Sequence, residues 1–216
     1  AGGAAVISSD TYNVYLDASD LDADTTYYFR VAGLNKGGLV TAYDAVAGTA
    51  TLAGEPVFTG FTGVSAAAMQ FNWTSGGNPA GTLYRAVVST AADPLNPGTA
   101  VAVSSYTYAL SLSSAGLAAN TTYYFRVAAV NRNGVYTNYT VAAGTSTRLA
   151  YAPAFSSFGG VGTGALTFSW TDSNPSGTLY RVYLSTAGDP LLPDGAAVVS
   201  SNTYNLSLGA SGLGAN

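Results

Sequence analysis

Asn120 to Gly134 reads NTTYYFRVAAVNRNG, and Asp24 to Gly38 reads DTTYYFRVAGLNKGG. The two segments lie 96 positions apart, and the offset recurs. SSDTYNVYL at 8–16 returns as SSYTYALSL at 104–112 and as SSNTYNLSL at 200–208. Gly81 to Asn120 aligns without gaps to Gly177 to Asn216, with 25 of 40 positions identical. Trp73 and Trp170 sit 97 apart because one insertion near the 148–152 linker is undone by one deletion in TDSNPSG. A solenoid unit spans about 20–45 residues. A 96-residue unit is long enough to enclose its own core, so the chain reads as beads on a string, two periods plus 24 residues.

Within a bead the hydrophobic period is two, the mark of half-buried strands. Met69, Phe71 and Trp73 alternate, as do Leu166, Phe168 and Trp170. The next inward sets are Tyr84, Ala86 and Val88, with Tyr180, Val182 and Leu184 one period on. Then come Tyr108, Leu110 and Leu112, and finally Tyr123, Phe125, Val127 and Ala129. Turn signals separate these runs: Gly76-Gly77-Asn78-Pro79, Asp93-Pro94, Ala115-Gly116 and Asn133-Gly134. The last predicts a tight hairpin, since Asn and Gly tolerate the positive φ of primed turns. No helical period competes. Short strands with turns every 8–12 residues predict an all-β antiparallel sandwich.

Leu117, Thr121, Tyr123, Val127, Ala129, Asn131 and Gly134 follow the spacing L-x-x-x-T-x-Y-x-x-x-V-x-A-x-N-x-x-G. This resembles the E–F corner and F strand of fibronectin type III domains. Leu21, Thr25, Tyr27, Val31, Asn35 and Gly38 repeat it, with Gly33 in place of Ala. Trp73 and Trp170 resemble that family's B-strand tryptophan. The usual proline two after the corner Leu is replaced by Ala23 and Ala119. The resemblance covers nearly the whole chain and implies tandem immunoglobulin-like sandwiches of a bacterial-type extracellular repeat protein. It implies a structural core of Trp73, Trp170, Tyr27, Tyr123, Leu21 and Leu117. Each corner tyrosine is expected to bury its ring and return its hydroxyl to the corner backbone.

In these terms residues 1–52 hold the late strands of one bead, from C′ onward. Residues 53–148 hold a complete bead, and 149–216 hold one that lacks the last two strands. Each partial bead leaves half a core and a sheet edge open, both hazards for aggregation. Either the chain is a window on a longer array, or copies complete one another head to tail. Residues 1–24 and 193–216 are the same part of the repeat, so joining ends would supply one strand twice, which favours the window. The linkers LAGEP (52–56) and RLAYAP (148–153) are short and end in proline, which predicts a semi-rigid rod.

Chemistry is sparse. The chain has no His and no Cys, which removes Ser-His-Asp and Cys-His catalysis and most transition-metal sites. Glu55, in a linker, is the only Glu, and a glycosidase needs a carboxylate pair across a cleft. Asp93, Asp189 and Asp194 read as turn formers. No catalytic residue, cofactor or enzyme activity is expected. DASDLDAD places Asp17, Asp20, Asp22 and Asp24 at spacings that invite Ca²⁺, but the glycine and closing Glu of an EF-hand are missing and later copies lack the acids. A solvated loop is the simpler reading, with a weak calcium candidate beside it. Sequons begin at Asn72, Asn120, Asn138 and Asn205, as possible glycosylation sites in a secretory setting. No Arg-Gly-Asp occurs, and the hairpin tips read Asn35-Lys36-Gly37-Gly38 and Asn131-Arg132-Asn133-Gly134.

Charged residues are 8% of the chain against about 25% in ordinary globular proteins. The net charge of −4, with seven basic residues, argues against nucleic acid as a partner. No apolar run approaches the roughly 18 residues of a membrane span. Positions between core residues include Tyr28, Tyr124, Arg85, Val87 and Val130, expected on outer faces as possible surface contacts, because exposed apolar patches mark contact sites. The expected partners are other copies of the chain or neighbouring repeats, with glycans as a further possibility. The expected function is a non-catalytic structural repeat of an extracellular or cell-surface fibre, filament or coat. An adhesion or carbohydrate-binding module, or a spacer in a large secreted hydrolase, is the alternative.

Overall fold

A computed structural model describes residues 8–100, 102–192 and 198–213. Among them are fourteen strands and no helix. The first piece carries β1 (Thr26–Phe29) and β2 (Ala47–Ala50). The middle bead carries β3 (Val57–Thr62), β4 (Ala68–Thr74), β5 (Leu83–Ser89), β6 (Ala102–Thr107), β7 (Ser111–Ala115), β8 (Thr122–Val130) and β9 (Ala143–Ser146). The last piece carries β10 (Ala154–Gly159), β11 (Ala165–Thr171), β12 (Tyr180–Ser185), β13 (Val198–Thr203) and β14 (Ser207–Ser211).

The middle bead is an immunoglobulin-like sandwich. Sheet β3-β4-β7 packs on sheet β6-β5-β8-β9, and all pairings are antiparallel. Alternation along β4, β5 and β8 sends Phe71, Trp73, Tyr84, Ala86, Phe125 and Val127 into the space between the sheets. Aromatic packing defines that core. The Phe125 ring stacks on Phe71 at 4.7 Å and on Trp73 at 5.7 Å. In β3 the register shifts between Phe58 and Gly60. Such a bulge sends residues three apart to one face, and Phe58 and Phe61 both pack on the core, 4.9 Å apart. The last piece repeats the device: β10 shifts between Phe155 and Ser157, with Phe155 and Phe158 4.8 Å apart.

The corners recur too. The backbone N–H of Asp22 donates to the Tyr27 hydroxyl at 2.8 Å, and that of Ala118 to Tyr123 at 3.0 Å. Thr51 and Thr147 close each corner, donating to the carbonyls of Asp22 and Ala118 at 2.6 and 2.7 Å. Leu117 and Tyr123 pack at the rim of the core. Removing the hydroxyl alone (Tyr123→Phe) leaves the ring in place and the Ala118 N–H without its acceptor. We expect a loss of about 1 kcal/mol in urea unfolding; no measurable change would show that the corner bond contributes nothing.

Three sequence expectations are revised. Tyr108 and Leu110 point to solvent rather than inward, because the chain bends at 108–110 to cross from one sheet to the other; only Leu112 reaches the core. The Asn133-Gly134 tip is not a primed two-residue turn. Gly134 alone has positive φ, +78°, and its N–H donates to Asn131 O at 2.8 Å. The Asn131 side-chain oxygen organises the loop instead, accepting from the N–H groups of Asn133 and Val135. Residues 8–20, strand-like in sequence, form no strand. Their counterparts, the end of β6 and all of β7, pair with β5 and β4, and the described residues of the first piece offer no such neighbours. For the same reason β1 has four residues where β8, flanked by β5 and β9, has nine.

Candidate functional site

No group of three or more acidic side chains among the described residues is placed to hold a metal. In particular, Asp24 of the Asp17, Asp20, Asp22 and Asp24 run is turned away from a shared site. It is buried, with φ of +44°, and it binds the next bead. Its Oδ2 accepts from the Thr82 hydroxyl at 2.7 Å and its Oδ1 from the Arg132 N–H at 2.8 Å. Arg132 Nε–H donates to the Asp24 carbonyl at 2.9 Å. Asn131 and Asn133 extend the seam, donating to Thr51 O and Thr49 Oγ1, each at 3.0 Å. The β8–β9 hairpin tip is thus a coupling element seated on the preceding bead.

The second junction repeats the first with reversed polarity. Asn120, one period after Asp24 and also at positive φ (+47°), donates its amide to Thr178 Oγ1 at 3.1 Å. Thr178, buried like Thr82, donates in turn to Pro175 O. Asn-Pro-x-Gly-Thr therefore meets the preceding bead in both copies, its threonine donating at 78–82 and accepting at 174–178.

A second clamp fixes each linker. Asn78 accepts from Gly54 N–H at 2.6 Å and donates to Gly54 O at 2.8 Å. Asn174 does the same to Tyr151, at 3.1 and 2.7 Å. A primary amide carries one acceptor and two donors, which suits it to grip both backbone groups of one residue. The fit around the first linker is close: a Cβ on Gly54 would lie 2.1 Å from Gly76 O. Asn138 Nδ2 donates to Glu55 at 2.7 Å, tying β9's approach to the same linker. The sequence marks these residues only as turn formers. Asn78 and Thr82 recur as Asn174 and Thr178, but within NPAGTLYR and NPSGTLYR, where their neighbours recur as well, so the repeat alone does not single them out.

The outer face of the four-stranded sheet differs from expectation. Val87 and Val130 are 4% and 6% exposed, so neither is a surface contact. Val87 faces Arg126 across the strands, and Arg126 lies 3.4 Å from Asp93 of the 90–100 connection, which folds over that end with Pro94 buried. Val130 adjoins the seam, between Leu83 and Tyr136. Arg85 is half-buried, its guanidinium 5.9 Å from the Tyr106 and Tyr136 rings, whose hydroxyls meet at 2.6 Å. That hydrogen bond, then burial, raises the Tyr106 phenol above its ordinary value; burial raises Tyr139 beside it and Tyr84 in the core. Asp93 is lowered by the Asn96 side chain and then the Leu95 N–H. Tyr28 and Tyr124 lie flat over Gly48 and Gly144, their cross-strand partners. Tyr28 keeps a solvent-facing ring, whereas Tyr124 is half-buried.

Among the sequons, Asn72 is engaged with Gly60 O and Thr62, and Asn120 with Thr178. Asn138 and Asn205 are exposed. Asp189 caps its own turn at Leu191 N–H, and Asp194 lies outside the described residues. Trp73 is buried against Tyr84 and Phe125, and Trp170 packs on Tyr180 at 5.6 Å. No helix of the described residues is long and apolar enough to cross a membrane.

No protein-family model matches the chain, and no curated protein matches it significantly. Among solved structures it is similar to a two-domain fibronectin type III segment of chicken tenascin, at 16% identity over 74% of this chain and 85% of that one, with a TM-score of 0.45. It is also similar to the FN1–FN3 domains of chicken CNTN1, at 15% identity over 91% and 69%, with a TM-score of 0.32. A third is the fibronectin type III domain of human fibronectin type III domain containing protein 3, at 18% identity over 44% and 86%, with a TM-score of 0.37.

Proposed function

We propose that this chain is a non-catalytic structural segment of an extracellular fibre, filament or surface coat, in which tandem sandwiches act as a semi-rigid rod. The observation that carries the reading is the recurrence of both clamps. Asn78 and Asn174 grip the linkers, and Asp24–Thr82 and Asn120–Thr178 bridge the beads, at the same places in successive periods. A flexible tether between independent binding modules has no use for such clamps. Backbone amide relaxation tests this. Adjacent beads should tumble as one elongated body, and Asn78→Ala with Asn174→Ala should let them tumble separately. Independent tumbling of the unaltered chain would refute the rod.

Exposed Val103, Tyr106 and Tyr108 on one bead favour side-by-side packing of rods. Sedimentation at high concentration should then show ordered bundles. A second reading, a glycan-binding module, is favoured by Tyr28, whose ring is backed by Gly48 and open on the other side as a stacking platform. Binding on a glycan array that is lost on Tyr28→Ala would select it over the first.

A further inference from the structure

Arg85 stands on the outer face of the four-stranded sheet, on strand β5, with Tyr106 of β6 directly opposite. Two phenols flank its guanidinium, since the Tyr106 and Tyr136 ring centroids each lie 5.9 Å from it. Ring quadrupoles attract the cation but give its N–H groups no acceptor. Among the described residues the Arg85 head makes no hydrogen bond and no ion pair. Its Nε and the Tyr139 hydroxyl are both buried without a partner. The two are close enough to interact: burial raises the Tyr139 phenol, and the Arg85 charge offsets part of that rise. Buried polar groups are ordinarily bonded, and an unpaired set calls for an explanation.

The cluster has a surplus of donors. A guanidinium offers five N–H groups and accepts nothing. In the Tyr106–Tyr136 pair one hydroxyl donates to the other at 2.6 Å, which leaves the accepting phenol's own O–H free. No carboxylate is among the charges that act on Tyr106 or Tyr139. The next period shows a satisfied form. Arg181 faces Asn202 where Arg85 faces Tyr106, and its Nε donates to Asn202 Oδ1 at 3.1 Å. One period back, Val40 stands in place of Tyr136. The middle bead thus has an aromatic wall where the next copy has a built-in acceptor.

We propose that Arg85, Tyr106 and Tyr136 bind a carboxylate-bearing sugar, a uronic acid residue of an acidic polysaccharide. An ionised carboxylate only accepts, and it matches the guanidinium fork with two parallel bonds. The terminal nitrogens of Arg85, unlike Nε, are not buried, so the outer edge of the fork is open to a ligand. Both tyrosines are exposed, and their rings suit the apolar C–H face of a pyranose. A peptide carboxylate is the weaker match. β5 is paired on both sides, so it has no free edge with which to hold an extended peptide. The site uses none of the residues of the junction clamps and does not use Tyr28, so it goes beyond the rod and is tested apart from it.

The probe is tetragalacturonic acid, titrated into the nitrogen-labelled 216-residue chain and followed by NMR. The Arg85 Nε–H resonance and the amides of Tyr106 and Tyr136 should shift together. Arg85→Lys keeps the charge but loses the fork, and should weaken binding roughly tenfold or more. Tyr106→Asn installs the acceptor that Arg181 already has, and Tyr136→Val installs the residue of the preceding copy; both should abolish the shifts. Unchanged amide shifts for the inward-facing residues of β4 and β8 show that each variant is folded. The Arg85 shift in the unaltered chain locates the ligand independently of any variant. The fully methyl-esterified tetramer, tetraglutamate and sodium sulfate should each bind more weakly than the acid sugar. Equal binding by the ester would mean stacking without the carboxylate, and equal binding by the peptide or by sulfate would mean an anion site with no preference for sugar. Any of these overturns the proposal. So does an absence of shifts through the millimolar range, binding that survives Tyr106→Asn, or binding lost on Tyr28→Ala instead.

Discussion

Phe125→Ala is expected to destabilise the middle sandwich by about 3–5 kcal/mol, the usual range for emptying a buried phenylalanine site. Phe29→Ala, the same position one period earlier, is expected to fall within about 0.5 kcal/mol of the unaltered chain, as surface substitutions do. The local sequences are nearly the same, TTYYFRVA in both, so strand propensity cannot separate the two. Packing does. Phe125 is fully buried and its ring meets those of Phe58, Phe71 and Trp73, with centroids 5.6, 4.7 and 5.7 Å away. Neighbours on two sheets cannot all collapse into the vacated volume, so a cavity term adds to the lost transfer energy. A domain of this size has about 5–15 kcal/mol in hand, so the loss brings the bead close to its limit. Urea unfolding in a Trp170→Phe background, where fluorescence reports Trp73 alone, measures both variants. Equal effects at 29 and 125 would mean that the first piece holds a core of its own, contrary to its exposure. The measurement is made at low concentration, where chain-to-chain contacts are absent.

What the sequence makes legible is whatever repeats with local cause. The inward faces of β4, β5 and β8 follow from alternation at Met69 to Trp73, Tyr84 to Val88 and Tyr123 to Ala129, because one face of each strand is buried. The 96-residue period locates each corner without any structural knowledge. What alternation cannot show is where a run is interrupted. SSYTYALSL alternates without a break through Ser104 to Leu112, yet it is divided between two sheets, since Tyr108 and Leu110 sit on the bend between them. Outer-face exposure fails for a different reason. Val87 is covered by the 90–100 connection that follows its own strand and Val130 by the bead junction, and strand alternation shows neither cover. The clamps are polar residues in turns, and a turn former and a linker grip look identical in one copy. Asn78 declares its second role only through its partner at Gly54, 24 residues away.

The bead junction gives the second large effect. Asp24→Ala should uncouple the first piece from the middle bead by about 2–4 kcal/mol, read as hydrogen exchange of the Arg132 amide rising roughly 30- to 1000-fold at about 1.4 kcal/mol per tenfold. Two losses combine. The Arg132 N–H and the Thr82 hydroxyl lose their carboxylate acceptor in a buried site, where an orphaned donor costs about 1–3 kcal/mol. Thr82 keeps a bond to Pro79 O, so the Arg132 amide bears most of that cost. In addition, Ala must hold a φ of +44°, which costs a non-glycine residue about 1–2 kcal/mol unless its side chain bonds locally. Asp24→Asn separates the two. Asparagine tolerates that backbone, its oxygen still serves Arg132, and its amide can donate to Thr82 Oγ1, which is the arrangement Asn120 already makes with Thr178. Its loss should therefore be smaller, about 1 kcal/mol, and Asp24→Gly, which relieves the backbone but supplies no acceptor, should lie between Asn and Ala. The order Asn, Gly, Ala identifies an acceptor clamp set on a left-handed residue. If Gly proved as mild as Asn, the bonds across the junction would be incidental, and the stiffness assigned to the rod would have to come from the linker grip of Asn78 alone.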